Sequence, residues 1–278
     1  MKPRALVFRT AGVNCDGEMV RAFARAGSEP DLIHLHALLE DPSVIDGYDL
    51  LGFPGGFSYG DDIASGRVFA VRLRTRLYPA LRAAAERGVP MIGACNGFQV
   101  LVQVGLLPGA APWPDEPPAQ TCALSDNASA RFTDRWCHVK PDASSKCVWT
   151  RGLDAYGADT MLLPVAHGEG RFVTDTPETL ARLQKQGQVA LRYHADENPN
   201  GSTDHIAGIC DPSGLILGLM PHPERYLDWT NHPYWTRLDA RMMDAETPGL
   251  RMFRNAVDHV RAGSPAVTSR GGRAAAAR

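Results

Sequence analysis

Two short segments set a nucleophilic side chain between small residues. Gly56-Phe57-Ser58-Tyr59-Gly60 surrounds a serine, and Gly93-Ala94-Cys95-Asn96-Gly97 surrounds a cysteine at the same spacing. This spacing suits a strained strand-to-helix turn that presents a nucleophile, because the turn leaves no room for bulk on either side. Both segments follow an apolar strand pattern. Only the cysteine runs at once into a helical pattern, Gly97-Phe98-Gln99-Val100-Leu101-Val102-Gln103-Val104. After Ser58 come Gly60, Asp61, Asp62, Ser65 and Gly66, which resist helix formation. A cysteine at a helix N-terminus meets the positive end of the macrodipole, which favours the reactive thiolate. Cys95 is therefore the leading nucleophile, against the plainer reading of a small buried apolar side chain. Attack on a carbonyl also needs N–H donors for the developing oxyanion. The residue after the nucleophile supplies one, here Asn96. A strand-end loop supplies the other, and Pro54-Gly55-Gly56-Phe57 stands in the right order to be that loop.

A thiolate nucleophile calls for an imidazole, and the imidazole for an orienting acid. Two segments offer His-x-Glu: His167-Gly168-Glu169-Gly170 and Pro221-His222-Pro223-Glu224. In extended backbone, residues two apart point the same way, so either pair could set a carboxylate beside an imidazole. The prolines favour His222 and Glu224, because they restrict the backbone and bias His222 toward extended geometry. The glycines around His167 suit a place where backbone approaches a ligand or partner. His34 and His36 would share one strand face as a metal pair, but no third ligand is spaced near them, so no metal site is read. No phosphate-binding Gly-x-x-x-x-Gly-Lys-[Ser/Thr] segment occurs.

The surrounding pattern must position these residues. Strand patterns at 5–9, 32–36, 48–53 and 89–93 alternate with helical ones at 18–26, 68–87 and 96–104. Repeated βα units predict a parallel sheet covered by helices on both faces. A proline-rich stretch, 108–120, reads as a loop. The stretch from 131 to 194 has β-type segments, including 161–166 and 189–194. The patterns at 206–210 and 215–220 flank Asp211-Pro212-Ser213-Gly214 and read as a hairpin, with a last helix within 248–261. The 278 residues hold 44% apolar and 22% charged side chains, ordinary globular composition. A net charge of −2 gives no electrostatic reason to expect nucleic acid or an anionic membrane. No apolar run is long enough to span a bilayer. Six cysteines without a Cys-x-x-Cys pair predict reduced thiols and a cytoplasmic location. The stretch 264–278 has few large apolar residues and reads as a disordered tail.

These residues together resemble the class I, or triad, glutamine amidotransferases. Val13-Asn14-Cys15-Asp16, Pro54-Gly55-Gly56-Phe57-Ser58-Tyr59-Gly60-Asp61, Cys95-Asn96-Gly97-Phe98-Gln99, Ala166-His167-Gly168-Glu169-Gly170, Asn198-Pro199-Asn200-Gly201-Ser202 and Pro221-His222-Pro223-Glu224-Arg225 narrow the likeness. They look like the branch that serves phosphoribosylformylglycinamidine synthases. The resemblance implies an α/β, flavodoxin-like fold: a largely parallel sheet between helices, with an added β-hairpin and a C-terminal extension. It implies one domain over 1–263, with 229–263 atypical of the family. It further implies that Cys95 attacks the side-chain amide of glutamine, His222 shuttles the proton and Glu224 orients His222. Backbone at Gly56 and Asn96 would hold the oxyanion, and Gly55, Phe57, Gln99 and His167 would lie against glutamine. The chain itself would need no cofactor. ATP and magnesium would belong to a synthetase partner acting on formylglycinamide ribonucleotide, with a small bridging subunit as a further partner. The glycine-rich loop 54–60 looks pliable enough to need that partner for its placement, which predicts a poor glutaminase in isolation. The cluster Trp229, His232, Pro233, Tyr234 and Trp235 is read as packing rather than as a rim of the site or a contact with the partner. Other readings stay open: a triad amidotransferase with another acceptor, a stand-alone cysteine or serine hydrolase, or a binding module with an inert Cys95.

Overall fold

The computed structural model describes residues 2–263, so the expected tail at 264–278 lies outside the described residues. β1 (Arg4–Arg9) buries Ala5, Leu6, Val7 and Phe8 completely, as a strand covered on both faces must. α1 (Asp16–Ala26) follows and stops at Gly27, whose left-handed conformation returns its N–H to the last turn. β2 (Glu29–His34), α2 (Leu35–Glu40), β3 (Leu50–Phe53), α3 (Arg67–Arg76), α4 (Tyr78–Glu86), β4 (Met91–Ala94) and α5 (Asn96–Val104) continue the alternation. Beyond the 108–120 loop come β5 (Cys122–Ser125), β6 (Thr133–Pro141), β7 (Leu162–His167), β8 (Arg171–Thr174), α6 (Pro177–Lys185), β9 (Val189–Tyr193), β10 (Ile206–Cys210), β11 (Ile216–Leu219) and α7 (Pro248–Gly263).

Nine strands form one sheet in the order β2-β1-β3-β4-β11-β10-β9-β6-β7, and β5 pairs β8 in a separate ribbon. The half from β2 to β11 is parallel; the half from β11 to β7 is antiparallel. The expected hairpin is the β10–β11 pair, turned by Asp211, whose carboxylate accepts from the Ser213, Leu215 and Ile216 N–H groups. Helices cover both faces of the sheet over two apolar cores. On one side Phe23 of α1, Trp149 and Phe253 of α7 meet edge to face, so α7 is part of this core. Trp229 is buried and donates its indole N–H to the Ala245 carbonyl, and His232 is buried beside it. Tyr234 and Trp235 stay exposed, so the aromatic cluster packs only in part. Among the described residues no helix is long and apolar enough to cross a membrane.

Two expected elements differ. The single helix read over 68–87 is two helices that break at Leu77 (φ −115°). A continuous helix would need an N–H on Pro79 to bond the Thr75 carbonyl; placed in the first turn of α4, the proline leaves no donor missing. The strand read at 32–36 ends at His34, because Leu35 and Leu38 turn inward as the buried face of α2. His34 caps that helix by accepting from the His36 N–H, and His36 pairs with Glu40. The two histidines share no strand face, and the metal-pair idea ends there.

Candidate active site

Four strand ends of the parallel half converge, as ligand sites in open α/β sheets do. β1 leads into the loop 10–15, β3 into 54–57, β4 into Cys95 and β11 toward His222. The register puts β4 between β3 and β11, so the nucleophile segment is flanked by the glycine loop on one side and the His-x-Glu segment on the other.

Cys95 has φ 52° and ψ −110°, a conformation L-residues rarely adopt. Such strain costs on the order of 1–3 kcal/mol and persists only where the surroundings enforce it. They do so here. The Cys95 N–H donates to the Leu219 carbonyl at 2.8 Å, and α5 starts at the next residue. A Cβ on Gly97 would stand 1.9 Å from the Phe53 carbonyl oxygen, and one on Gly93 would stand 2.6 Å from the Gly97 oxygen. The small residues on either side of the nucleophile are thus required by close backbone contact. Ser58, by contrast, opens a 3-10 turn rather than an α-helix, and its hydroxyl is buried without a partner.

His222 Nδ1 lies 2.6 Å from Glu224 Oε1, and both side chains are buried. Its backbone N–H is fixed by the Pro164 carbonyl at 2.8 Å. With Nδ1 committed to the carboxylate, Nε2 is the free nitrogen, and it has no well-aligned partner. Burial pushes the His222 pKa down, but the Glu224 charge and the Cys95 and Cys15 thiols outweigh it and hold it well above the ordinary histidine range. Cys95 and the pair His222 and Glu224 are therefore brought together, and of the two His-x-Glu segments the proline-flanked one sets its carboxylate on its imidazole.

The other segment has another use. His167 is buried, with Nδ1 3.1 Å from Asn127 Oδ1. Asn127 donates through Nδ2 to the His167 and Arg131 carbonyls, so its oxygen faces the ring. His167 thus carries its proton on Nδ1, and Nε2 is a buried acceptor with no partner. Burial first, then the charge of His222, push its pKa down to about 4. Glu169 does not reach this ring: its carboxylate accepts from the Ser65 N–H, and its backbone carbonyl accepts from Gln99 Nε2 at 2.5 Å. The shift has a measurable consequence. An unfolded histidine titrates near 6.5, so stability from the neutral ring is complete above that pH and is lost as pH falls toward 4, by about 3 kcal/mol in all. In His167→Gln the unfolding free energy should fall less steeply between pH 6.5 and 4; an unchanged slope in urea titrations would contradict the assignment.

The glycine loop is pinned rather than pliable. Phe57 N–H donates to the Gly12 carbonyl at 2.9 Å and Tyr59 N–H to the Ala11 carbonyl at 2.8 Å. The Thr10 and Tyr59 hydroxyls meet at 2.7 Å. Asn96 Nδ2 reaches Asp61 and Gln99 Oε1, tying the same loop to α5. Gln99 therefore spends its amide on protein at both ends, and Phe57 is half-exposed against Phe132. The Gly56 N–H donates to no backbone acceptor among the described residues, and Asn96 opens α5, where an N–H has no partner within the helix. Both are free to serve an oxyanion. Gly55 packs against the imidazole: a Cβ there would stand 2.7 Å from His222 Cε1 and 3.2 Å from Cys15 Sγ. Gly55→Ala should lower the melting temperature by a few degrees, as overpacking against a buried ring does, and cut turnover about a hundredfold, the usual cost of a 1 Å misplacement. Wild-type turnover in that variant would show the ring is not held there.

Three side chains at the site carried no role in the sequence reading. Cys15 is buried, and Arg225 Nη2 donates to its sulfur at 2.9 Å. Cys15 lies in a loop leaving β1, the strand beside β3, and topology was the only signal that could have brought it to the site. Asn127 lies outside every element, and nothing in its local sequence marks it.

Over residues 2–260 the chain matches the CobB/CobQ-like glutamine amidotransferase domain. A Dehalococcoides mccartyi protein named phosphoribosylformylglycinamidine synthase subunit PurQ is 42% identical over 94% of this chain and 98% of its own length. A Methanococcus maripaludis protein of the same name is 37% identical over 93% and 99%. A chain in the solved PurLQS structure from Thermotoga maritima superposes with a TM-score of 0.68 at 32% identity, covering 94% of this chain and 100% of that one.

Proposed function

The chain belongs to the CobB/CobQ-like glutamine amidotransferase family, in its phosphoribosylformylglycinamidine synthase branch, and from that premise we propose that Cys95, His222 and Glu224 carry its chemistry. It is the glutaminase component of that synthase, an enzyme that frees ammonia from glutamine for purine synthesis. Cys95 Sγ attacks the side-chain amide carbon of glutamine. His222, held by Glu224, gives its proton to the departing nitrogen, and ammonia leaves. The Gly56 and Asn96 N–H groups stabilise the oxyanion of each tetrahedral intermediate. Water then attacks the γ-glutamyl thioester and releases glutamate, so glutamine and water give glutamate and ammonia. A raised His222 pKa supports this assignment, because it lets a protonated imidazole stand beside a thiolate. The observation that carries the reading is the strained Cys95 turn beside the His222–Glu224 pair on neighbouring strand ends.

The ammonia goes to a synthetase partner, which amidates formylglycinamide ribonucleotide using ATP and magnesium held on that partner. A small bridging subunit in the complex and a cytoplasmic location complete the proposal; six free buried cysteines fit a reducing compartment. Because the glycine loop is pinned in the chain itself, the partner is not needed to place it. The purified chain alone should therefore be alkylated at Cys95 by an electrophilic glutamine analogue, with glutamine protecting. Mass spectrometry of the adduct reads this directly. Labelling elsewhere, or labelling that glutamine does not slow, would reject the reading.

A further inference from the structure

Two buried asparagines from separate loops have no part in the mechanism, yet they hold one segment of the site between them. Asn127 lies in the link from β5 to β6, and Asn200 in the link from β9 to β10, within the Asn198–Ser202 string. The Ala128 N–H joins the two links by donating to the Asn200 carbonyl at 2.9 Å. The segment they hold is 167–170. Asn127 Oδ1 accepts from His167 Nδ1 and from the Gly170 N–H, each at 3.1 Å. Its Nδ2 donates to the His167 carbonyl at 2.9 Å, and its backbone N–H to the Gly168 carbonyl at 2.8 Å. Asn200 Nδ2 donates to the Gly170 carbonyl at 2.8 Å, while its Oδ1 accepts from the Ser202 N–H and hydroxyl. We propose that Asn127 is a positioning residue for glutamine: it keeps the proton on His167 Nδ1 and so presents Nε2 as a bare acceptor for a glutamine N–H, with Asn200 bracing the same segment at Gly170.

The segment runs along the nucleophile. Just before it, the Pro164 carbonyl accepts from the His222 N–H at 2.8 Å, and the Ala166 carbonyl lies 3.6 Å from Cys95 Sγ. Within it, the Glu169 carbonyl accepts from Gln99 Nε2 of α5 at 2.5 Å. His167 Nε2 is buried without a partner, as are His222 Nε2 and Glu224 Oε2 beside it. A buried acceptor left bare costs free energy, and a ligand that donates to it recovers that cost. Glutamine has such donors in its side-chain amide and its α-ammonium group. An imidazole accepts at Nε2 only while its proton sits on Nδ1. The Asn127 amide enforces that tautomer because its own orientation is fixed. Nδ2 meets the His167 and Arg131 carbonyls and Oδ1 meets the Gly170 N–H, so a flipped amide would set oxygen against oxygen and donor against donor. The ring also lies on Gly170, where a Cβ would stand 2.3 Å from His167 Nδ1. Holding Gly170 by its N–H and its carbonyl therefore holds the ring.

This inference rests on the glutaminase reading, and its test separates the two. Alkylation of Cys95 by an electrophilic glutamine analogue is timed, with glutamine protecting, in wild type, Asn127→Ala, His167→Ala and the double variant. Asn127→Ala should raise the glutamine concentration for half-protection about tenfold. Iodoacetamide, which needs no glutamine pocket, should still label Cys95 in that variant at the wild-type rate. In the His167→Ala background the same substitution should cost almost nothing further, because Asn127 acts through the ring. Equal protection in wild type and Asn127→Ala, or fully additive losses in the double variant, would overturn the proposal and leave the glutaminase reading standing. Absence of glutamine protection in wild type would sink that reading, and this inference with it. A second measurement keeps Asn127 in place and so decides the matter even where Asn127→Ala does not fold. Nitrogen NMR is recorded on isotope-labelled Cys95→Ala, which does not consume glutamine, with the His167 signals identified by their loss on His167→Gln. His167 should carry its proton on Nδ1 at neutral pH, and glutamine should shift the Nε2 signal without protonating it. A proton on Nε2, or an Nε2 signal that glutamine leaves unmoved, would overturn the proposal.

Discussion

Cys95→Ala should abolish glutamate release, by about ten-thousandfold or more, while the melting temperature moves by no more than a few degrees. The large kinetic effect follows from covalent chemistry: without the sulfur there is no thioester, and what survives is the oxyanion hole and binding alone. The small structural effect follows from the site. Cys95 is 6% exposed, and its sulfur's hydrogen bond to the Ala166 carbonyl is a long one, at 3.6 Å. Its unusual backbone is enforced by neighbours that the substitution leaves in place, including the Leu219 carbonyl and the Gly97 contact with Phe53. The check is glutamate formed per chain, with circular dichroism melts beside it. Retained turnover would sink the assignment and return attention to Ser58. A collapsed melt would mean that Cys95 is held for packing.

The elbow was legible because its requirements are local. Close contact at Gly93 and Gly97 forces small residues at fixed spacing, and α5 runs over Asn96–Val104 as its periodicity predicted. The His222–Glu224 pair was legible for the same reason: two prolines and a spacing of two leave few conformations. What stayed hidden depends on residues far apart in the chain. Asn127 fixes the His167 tautomer across forty positions, and Cys15 meets Arg225 across 210. No local pattern encodes such meetings. The pliability read into the glycine loop failed for the same reason, since its anchors, Thr10, Ala11 and Gly12, come from another strand end. Two misses were local. Pro79 already spoke against one helix over 68–87. Thr176-Pro177 marked the start of α6, with the Thr176 hydroxyl accepting from the Thr179 N–H, inside a stretch where only β-type segments were named.

His222→Ala should lower formation of the Cys95 adduct far more than His167→Ala does, by about ten-thousandfold against a hundredfold at most. Both imidazoles are buried near the nucleophile, so proximity does not separate them; their partners do. His222 faces a carboxylate at 2.6 Å, and with the thiols that charge keeps its pKa high despite burial. It can therefore hold the proton that the thiol gives up and return it to the leaving nitrogen. His167 faces an amide oxygen and a neighbouring positive charge, and its pKa near 4 leaves it neutral throughout the physiological range. So weak a base takes a proton from a thiol far less readily than His222 does, although its bare Nε2 can accept a hydrogen bond from substrate. The two variants should differ in kind as well as in size. His167→Ala should raise the glutamine concentration needed for protection of Cys95, with the limiting rate reduced less. His222→Ala should remove the rate itself and its dependence on the imidazole's protonation. Timed alkylation of each purified variant by an electrophilic glutamine analogue, across pH and glutamine concentration, measures both quantities. If His167→Ala alone stops the labelling while His222→Ala labels normally, the base has been assigned to the wrong strand end.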